Sequence, residues 1–424
     1  MKNALKFFVA SSLALVARLV VRRYRPKIVM ITGSVGKTST KDAVAAVLAS
    51  RFFVRASEKS FNSEFGVPFT ILGVENPWGN PVAWFSVAKN ALALLLLPNH
   101  YPKMLVLEVG ADRPGDLARI VRMAQPDAVI VTRLPEIPVH VEAYASPEAV
   151  REEEFSPAYA LPAAAPLIVS ADDFYALDMA MRTSAHVISY GTSAESMVRI
   201  SSIGFHEEGG EVIGMQAKAS VGGEGKELIV KGSVGLTQLL PAAAALAAAS
   251  AFSIPLQDAI EALKTYEPPP GRGRLLAGKS GSVVIDDSYN ASPAAVEESL
   301  ATLKAFPHAK RHVAVLGDML ELGRYSVMEH ERIGKVACAS ADLVISVGIR
   351  ARAFCANPGS TETMLFDSAH AAAAALPGLL REGDVVLVKG SQSVRTERVV
   401  EALLANPKDL SRLVRQERAW KRKV

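Results

Sequence analysis

The stretch of sequence that decides the fold is Ile28-Val29-Met30-Ile31-Thr32-Gly33-Ser34-Val35-Gly36-Lys37-Thr38-Ser39-Thr40. Its apolar start predicts a buried parallel strand, Gly33 to Gly36 a tight turn, and Lys41 to Ala49 a helix. A glycine turn between a strand and a helix lets the backbone approach a polyphosphate, and the first amide groups of the helix point at it. The stretch therefore predicts a phosphate-binding turn, two residues tighter than the usual G-x-x-x-x-G-K-[ST] spacing.

The side chains of this turn fit the same interpretation. Lys37 offers a positive charge to the β- and γ-phosphates, and Thr38 offers a hydroxyl to Mg2+. An ordinary strand-to-helix turn is the alternative, and the position of the turn between an apolar strand and a helix disfavours it. The residues expected to contact the nucleotide here are Gly33, Ser34, Val35, Gly36, Lys37, Thr38 and Ser39.

Length and composition favour a globular chain of two or three domains, because 424 residues exceed one ordinary core and half of them are hydrophobic. Two cysteines, Cys338 and Cys355, form no disulfide framework, so a reducing cytosol is expected. Residues 1–27 carry seven Lys or Arg and no acidic residue, and removing these from the net charge of +4 leaves about −3 for residues 28–424. The body of the protein is therefore not expected to bind nucleic acid.

The first 26 residues form a separate piece, which we expect to be a basic, apolar helix. Its apolar run from residue 7 to 17 is interrupted by Arg18 and is too short to span a bilayer. It also has no plain signal-cleavage site. Two interpretations stay open. The favoured one is a helix packed on the first domain, and the other is an interfacial helix that makes peripheral membrane contact through residues 4–25.

Strands and helices alternate after the phosphate-binding turn, with strands expected at 104–109 and 128–132. This alternation predicts a mostly parallel α/β sheet, whose ligands gather at the carboxyl ends of the strands, so Glu108 should lie on the same edge as Lys37. Short alternating runs rich in glycine over residues 187–234 predict a β-rich insertion or subdomain.

A second domain is expected after the proline-rich linker 266–274. Strands predicted at 282–285, 312–316, 343–347 and 385–388 alternate with helices, which indicates a Rossmann-like, doubly wound domain. The predicted organisation is an N-terminal helix (1–26), a central ATP-binding domain (27–268) and a C-terminal domain (269–424).

Four segments occur in one order: residues 33–40, 107–111, 286–293 and 388–391. Together they resemble the Mur ligases, the ATP-dependent amino-acid and dipeptide ligases of peptidoglycan synthesis, and the resemblance covers about residues 27–405. The segment Asp286-Asp287-Ser288-Tyr289-Asn290-Ala291-Ser292-Pro293 and two other blocks, 316–323 and 389–391, are closest to the branch that adds D-Ala-D-Ala.

The resemblance implies an activity. Such ligases phosphorylate a carboxylate with ATP, using Mg2+, and an amine then displaces phosphate to leave an amide. The implied partners are a nucleotide- or lipid-linked muramoyl-peptide and D-Ala-D-Ala, and a cytoplasmic monomer is expected. Two alternatives stay open: a Mur-type ligase with a different acceptor or amine, and a non-catalytic nucleotide-binding scaffold of the same fold.

The resemblance also implies roles for single residues, in four groups. The catalytic group is Lys37, Glu108, His140, Arg272 and Lys389. Further nucleotide contacts are Arg272, Asp287 and Asn290. The metal group is Thr38, Glu108, His140 and Glu154. The substrate group is Asn62 in the polar loop 59–68, Asp318, Glu321 and Ser391.

Three departures from the family pattern bear on the function. Glu154 stands at about the place of a carbamoylated lysine, where a carboxylate could hold metal instead, and the alignment leaves the register open by one residue. Thr237 and Pro241 replace a histidine and an asparagine, so one ATP contact is missing. About 27 residues precede the turn where the family carries a uridine-nucleotide-binding domain, which leaves the recognition of UDP open and makes a membrane-associated acceptor an alternative.

Overall fold

Residues 2–57, 61–78 and 80–421 are described by the computed structural model, which contains two β-sheets with helices on their faces. Met1 of the expected N-terminal helix and residues 59–60 of the expected substrate loop lie outside the described residues. The expected class, a mostly parallel α/β sheet followed by a second doubly wound domain, is confirmed.

The bounds of the helices are α1 (Lys2–Tyr24), α2 (Lys37–Ala49), α3 (Gly66–Leu72), α4 (Pro81–Leu96), α5 (Asp116–Met123), α6 (Pro147–Tyr159), α7 (Phe174–Ala180), α8 (Leu236–Ala251), α9 (Leu256–Leu263), α10 (Pro293–Ala305), α11 (Ser326–Cys338), α12 (Ala369–Ala375), α13 (Glu397–Leu403) and α14 (Arg418–Lys421). The bounds of the strands are β1 (Lys27–Thr32), β2 (Val54–Ala56), β3 (Met104–Glu108), β4 (Ala128–Val131), β5 (Pro166–Ser170), β6 (His186–Gly191), β7 (Val198–Glu208), β8 (Glu211–Val221), β9 (Glu224–Lys231), β10 (Arg274–Ala277), β11 (Val283–Asp287), β12 (Arg311–Gly317), β13 (Leu343–Val347), β14 (Glu362–Phe366) and β15 (Asp384–Lys389).

The first sheet has the strand order β2-β3-β1-β4-β5-β6-β7-β8-β9. Strand β1 lies between β3 and β4 in parallel register, with Ile31 opposite Glu108, and residues 28–31 are fully buried as the apolar run predicts. The β-rich part is not a separate insertion or subdomain. Strands β6 to β9 continue the same sheet, because β6 pairs in parallel with β5 and the antiparallel β8 and β9 extend its edge.

The alanine-rich helix α8 packs directly on α2, the helix that follows the phosphate-binding turn. The run from Ala242 to Ala249 is buried, because side chains this small let the two helices approach closely. Helix α8 begins at Leu236, so Thr237 and Gln238 lie in its first turn.

The second sheet has the strand order β10-β11-β15-β12-β13-β14 and is parallel except for β10, which runs antiparallel to β11. Asp287 at the end of β11 is the register partner of Lys389 at the end of β15. Two functional segments far apart in sequence thus meet at one edge, as the carboxyl ends of parallel strands require.

Helix α1 packs on the first domain through Leu13, Ala17 and Val20, which are buried against α3, α4 and α5. The ring of Tyr24 stacks on that of Tyr101 with a 4.5 Å centroid distance. The packed-helix interpretation agrees with these contacts. Within residues 2–57, 61–78 and 80–421, every helix is too short or too polar to cross a membrane.

Candidate active site

A cavity of about 740 Å³ lies between the carboxyl-terminal edges of the two sheets. It brings together residues from the phosphate-binding turn, from the end of β3 and from three loops of the second domain. The predicted site residues that line it are Ser34, Val35, Gly36, Lys37, Thr38, Ser39, Asn62, Glu108, His140, Arg272, Asp287, Asn290, Glu321, Lys389 and Ser391. Gly33, Glu154 and Asp318 lie outside this lining.

The phosphate-binding turn depends on its two glycines. Gly33 has a φ of +115°, and a Cβ built there would lie 2.4 Å from the hydroxyl oxygen of Thr132, which directly follows β4. Gly36 has a φ of +84° and directly precedes α2, which begins at Lys37 and not at Lys41 as predicted. The reason is that the left-handed Gly36 completes the turn at once, so Lys37, Thr38 and Ser39 form the first helical turn.

Glu154 is buried at the back of this turn. Its Oε2 accepts a 2.6 Å hydrogen bond from Ser34 Oγ, and its Oε1 lies 3.9 Å from Lys37 Nζ. Burial raises the pKa of Glu154, and the Lys37 charge and the Ser34 hydrogen bond oppose the rise. The neighbouring Glu153 points elsewhere and accepts from two backbone amides at the start of α5. Glu154 is therefore the carboxylate of this pair that faces the turn.

Glu108, at the end of β3, is a buried carboxylate beside the same turn. Burial raises its pKa, while Arg272, Lys37 and Lys41 lower it, as does a hydrogen bond with Thr38. Its Oε2 has no hydrogen-bond partner within the described chain. A buried carboxylate oxygen aimed at a cavity without a partner is chemically suited to a cation.

Arg272 reaches from the start of the second domain into the phosphate-binding turn of the first. Its Nη2 donates a 2.9 Å hydrogen bond to Thr38 Oγ1. Its guanidinium lies over the ring of Tyr289, 4.2 Å from the centroid. The backbone helps to fix this geometry, because the amide of Tyr289 donates to the carbonyl of Gly271.

Lys389 and Asp287 form an ion pair at the edge of the second sheet. Lys389 Nζ lies 2.6 Å from Asp287 Oδ2, and both the pair and Asn290 border the cavity. Lys389 Nζ also donates to the carbonyl of Asn290, at 3.1 Å. The lysine side chain is 4% exposed, so it is a paired and nearly buried cation.

Two predicted substrate residues differ in their positions. Ser391 lines the cavity, and its Oγ accepts a 2.9 Å hydrogen bond from the amide of Leu320. Asp318 does not face the cavity. Its Oδ1 accepts a 2.7 Å hydrogen bond from the amide of Ala351, against Gly348, so the carboxylate closes the loop after β13. The prediction that Asp318 faces the substrate disagrees with this position.

His140 and Glu321 join the two domains on the far side of the cavity. His140 Nδ1 lies 2.9 Å from Glu321 Oε2, and both residues have a left-handed backbone with a φ of 65°. Burial lowers the pKa of His140, but the Glu321 hydrogen bond and charge, with the charge of Asp112, outweigh it, so the pKa is raised. The contact thus links an expected site residue of the first domain to an expected site residue of the second domain.

Gln238, Arg395 and Trp420 are among the cavity residues that were not predicted as site residues from the sequence. Gln238 is buried and its Oε1 has no partner within the described chain, which is the kind of group that a ligand satisfies. Arg395 Nη1 donates a 3.0 Å hydrogen bond to the carbonyl of Trp420. Gln238 could have been identified from the sequence, because it directly follows Thr237, one of the positions that depart from the family pattern. No local sequence pattern marks Arg395 or Trp420.

The side chains near the phosphate-binding turn decide whether the site suits Mg2+, the ion that the family resemblance implies. In the described part of the chain, no group of three or more His, Cys, Asp or Glu side chains is arranged to hold a metal ion. The Thr38 hydroxyl and the orphaned Glu108 oxygen are hard oxygen donors beside the phosphate-binding turn. Such a pair suits Mg2+, which is usually held by one or two carboxylates together with substrate phosphates.

The comparisons with known proteins agree with this fold. The Mur ligase middle domain family matches residues 31–249, and the Mur ligase, glutamate ligase domain family matches residues 271–392. The first match alone covers half of the chain. The chain belongs to the Mur ligase family, and the resemblance seen in its sequence motifs is confirmed.

Within that family, the chain is similar to proteins named UDP-N-acetylmuramoyl-tripeptide--D-alanyl-D-alanine ligase. The Escherichia coli protein is 29% identical over 91% of this chain and 79% of its own length. The Bacillus subtilis protein is 26% identical over 94% and 80%. The crystal structure of the Thermotoga maritima MurF ligase in complex with ADP has a TM-score of 0.77 at 26% identity, over 93% of this chain and 83% of that one.

Proposed function

We propose that the chain is an ATP-dependent amide ligase that joins D-Ala-D-Ala to a muramoyl-tripeptide through an acyl-phosphate intermediate. Similarity to the relatives named for this reaction, over most of the chain, supports the substrate assignment. The ADP bound in the Thermotoga maritima relative supports nucleotide binding. The segment 286–293, which resembles the dipeptide-adding branch, favours this amine over a single amino acid.

One observation carries the proposal: Arg272 from the second domain contacts Thr38 in the phosphate-binding turn of the first, at 2.9 Å. The contact lies beside the buried Glu108 carboxylate. A cation, a hydroxyl and a carboxylate are thus held at one point by two domains. Phosphoryl transfer needs mainly positioning and neutralisation of charge, and these are what the arrangement offers.

The proposed reaction has two steps. An oxygen of the acceptor carboxylate attacks the γ-phosphorus of ATP, the bond to the bridging oxygen breaks, and ADP leaves. The amino nitrogen of D-Ala-D-Ala then attacks the acyl carbon, phosphate leaves, and the nitrogen loses its extra proton. Lys37 and Arg272 neutralise phosphate charge in the first step, and the amides at the start of α2 orient the phosphates.

Thr38 and Glu108 would hold Mg2+ beside the nucleotide, where the ion neutralises charge on the phosphate oxygens. Glu154 would act from the other side of the turn by holding Ser34 and Lys37 in place, at 2.6 and 3.9 Å. We propose that its fixed carboxylate takes the place of the family's carbamoylated lysine. His140 and Glu321 would close the far side of the cavity over the acceptor.

The remaining assignments concern the two substrates. We propose that Asn62, whose carbonyl accepts from the amide of Gly110, contacts the acceptor. Ser391 and Glu321 also line the cavity, and the incoming ammonium group would bind near them. Asp287 and Asn290 would contact the nucleotide, with Asp287 held by Lys389.

The test is a product analysis of the full chain with ATP, Mg2+ and D-Ala-D-Ala. Nucleotide-linked and lipid-linked muramoyl-tripeptides are supplied in parallel. We expect phosphate release that requires both acceptor and dipeptide, and a product heavier than the acceptor by one dipeptide less one water. ATP binding without amine-dependent phosphate release would contradict the proposal and favour the scaffold alternative. Turnover with a single amino acid in place of the dipeptide would favour a different Mur-type ligase.

A further inference from the structure

An apolar stripe runs along the outer face of α4 and has no partner in the described chain. Its members Val82, Phe85, Leu92 and Leu96 are 57 to 74% exposed. They recur at intervals of three, seven and four residues, so they share one face of the helix. The opposite face, through Val87, Ala91 and Leu94, is buried, so the exposed stripe is additional to the face that packs.

A second stripe lies beside it on α1. Phe8, Leu15 and Leu19 are exposed at spacings of seven and four residues, while the other side of the helix packs on the domain. The two helices are joined at their ends, because the Arg23 guanidinium donates to the carbonyls of Leu95 and Leu97. Because the two helices are in contact, we call their exposed stripes together the α1–α4 surface.

The charges on this surface have one sign. Arg18 and Arg22 are exposed beside the apolar residues of α1, and Lys89 is exposed within the α4 stripe. Residues 2–27 and 81–97 contain no acidic residue, and the nearest acid in sequence, Glu75, lies in the loop before α4. An apolar face flanked by basic residues is the pattern of a helix that lies in the interface of an anionic membrane.

We propose that the α1–α4 surface docks the protein on the face of an anionic lipid bilayer. The described helices cannot cross a membrane, so the contact is peripheral. The apolar stripes would enter the boundary between headgroups and acyl chains, and the basic side chains would contact the headgroups. Trp78, exposed at the entrance to α4, adds an aromatic side chain of the kind enriched at membrane interfaces.

The α1–α4 surface connects to the active-site cavity through aromatic contacts. Trp78 packs against Phe65 with a 5.5 Å centroid distance, and Phe65 follows Asn62 of the cavity by three residues. Docking would therefore set the bilayer beside the Asn62 side of the cavity, where an acceptor anchored in lipid would enter. This consequence rests on the proposed function, whereas the docking itself does not.

The experiment is co-sedimentation of the full chain with vesicles, which requires no ligase activity. We expect binding to phosphatidylglycerol vesicles, little binding to phosphatidylcholine vesicles, and weaker binding as salt is raised. The double variant Phe85→Glu, Leu92→Glu should bind about tenfold more weakly. Its matched control is Val327→Glu, Ile349→Glu, two exposed apolar residues of the second domain, which should bind like the unchanged protein.

A second variant tests the charges without touching the apolar face. Arg18→Gln, Arg22→Gln should bind phosphatidylglycerol vesicles roughly thirtyfold more weakly, as expected for two charges near an anionic surface. Thermal unfolding checks that each variant is folded. Absence of binding to anionic vesicles, or equal binding by the stripe variant, would overturn the proposal. So would a dimer in sedimentation analysis that the stripe variant converts to a monomer, since a second copy would then occupy the surface.

Discussion

Lys389 and Asp287 form a nearly buried ion pair at 2.6 Å, although 102 residues separate them in sequence. They are register partners at the ends of the neighbouring strands β15 and β11. The resemblance implied a catalytic role for Lys389, and the geometry indicates that the lysine also stabilises the structure. The lysine holds the aspartate, and through the Asn290 carbonyl it also holds the loop that borders the cavity.

This pairing predicts the behaviour of Lys389→Met. Removal of one partner leaves a buried charge without compensation, so the free energy of unfolding should fall by about 3 kcal/mol. Lys389→Met, Asp287→Asn should recover part of the loss. Urea unfolding measures both, with Lys310→Met as control, because Lys310 pairs with Glu382 at the surface. Equal stability of Lys389→Met and Lys310→Met would show that the pair of Lys389 with Asp287 does not stabilise the fold more than a surface ion pair does.

The sequence was sufficient to predict the edge on which the site lies. Lys37 and Glu108 each follow an apolar run that could only be a buried strand, and parallel strands bring their carboxyl ends together. The extent of the sheet was predicted less well. Residues 187–234 alternate like an isolated antiparallel unit, and nothing local in them reveals that β6 pairs in parallel with β5.

Contacts between distant segments were the part that local patterns could not predict. Asp318 follows a strand as the neighbouring site residues do, but its carboxylate turns to the amide of Ala351. Trp420 reaches the cavity because the C-terminal segment folds back, with the Arg415 guanidinium over the rings of both Tyr289 and Trp420. Glu154 was predicted from the family resemblance, which left the register open by one residue. Its contact with Ser34 in the structure identifies Glu154, and not Glu153, as the residue in that position.

Lys37→Ala tests the phosphate-binding turn. The side chain is partly buried beside Gly33 and Glu154, so its loss should remove a charge from the phosphates and leave the fold intact. We expect phosphate release to fall about 10²- to 10³-fold with the melting temperature nearly unchanged. Lys27→Ala, at the other end of β1 and exposed, is the matched control. Near-normal turnover by Lys37→Ala would show that the phosphates bind elsewhere.

Substitutions of Glu154 and of the neighbouring Glu153 should have different effects. If its carboxylate replaces a carbamate, Glu154→Gln should raise the Mg2+ concentration needed for half-maximal activity. Glu154→Lys should regain activity when bicarbonate is added, because a lysine there could form the carbamate. Glu153→Gln should instead lower stability, since Glu153 accepts from two amides at the start of α5. If the activity of Glu154→Gln depended on Mg2+ concentration as that of the unchanged protein does, the proposal that Glu154 replaces the carbamate would be wrong.

Asp286 predicts how stability depends on pH. Burial raises the pKa of this carboxyl to about 6, and hydrogen bonds from Ser288 only partly oppose the rise. The folded state therefore binds this proton more tightly than the unfolded state, so the contribution of Asp286 to stability should decrease as pH rises from about 4 to 6. Asp286→Asn cannot ionise, so its stability should not show this decrease.

Measured against the unchanged protein, Asp286→Asn should gain roughly 2 to 3 kcal/mol between pH 4 and pH 7.5. Its amide can keep the hydrogen bonds from Ser288, and any cost of the amide group is equal at both pH values, so the difference isolates the ionisation. Urea unfolding at the two pH values measures it. Asp367→Asn, at an exposed position, is the control and should show no such gain. A parallel pH dependence of Asp286→Asn and the unchanged protein would mean that Asp286 titrates at its ordinary pKa.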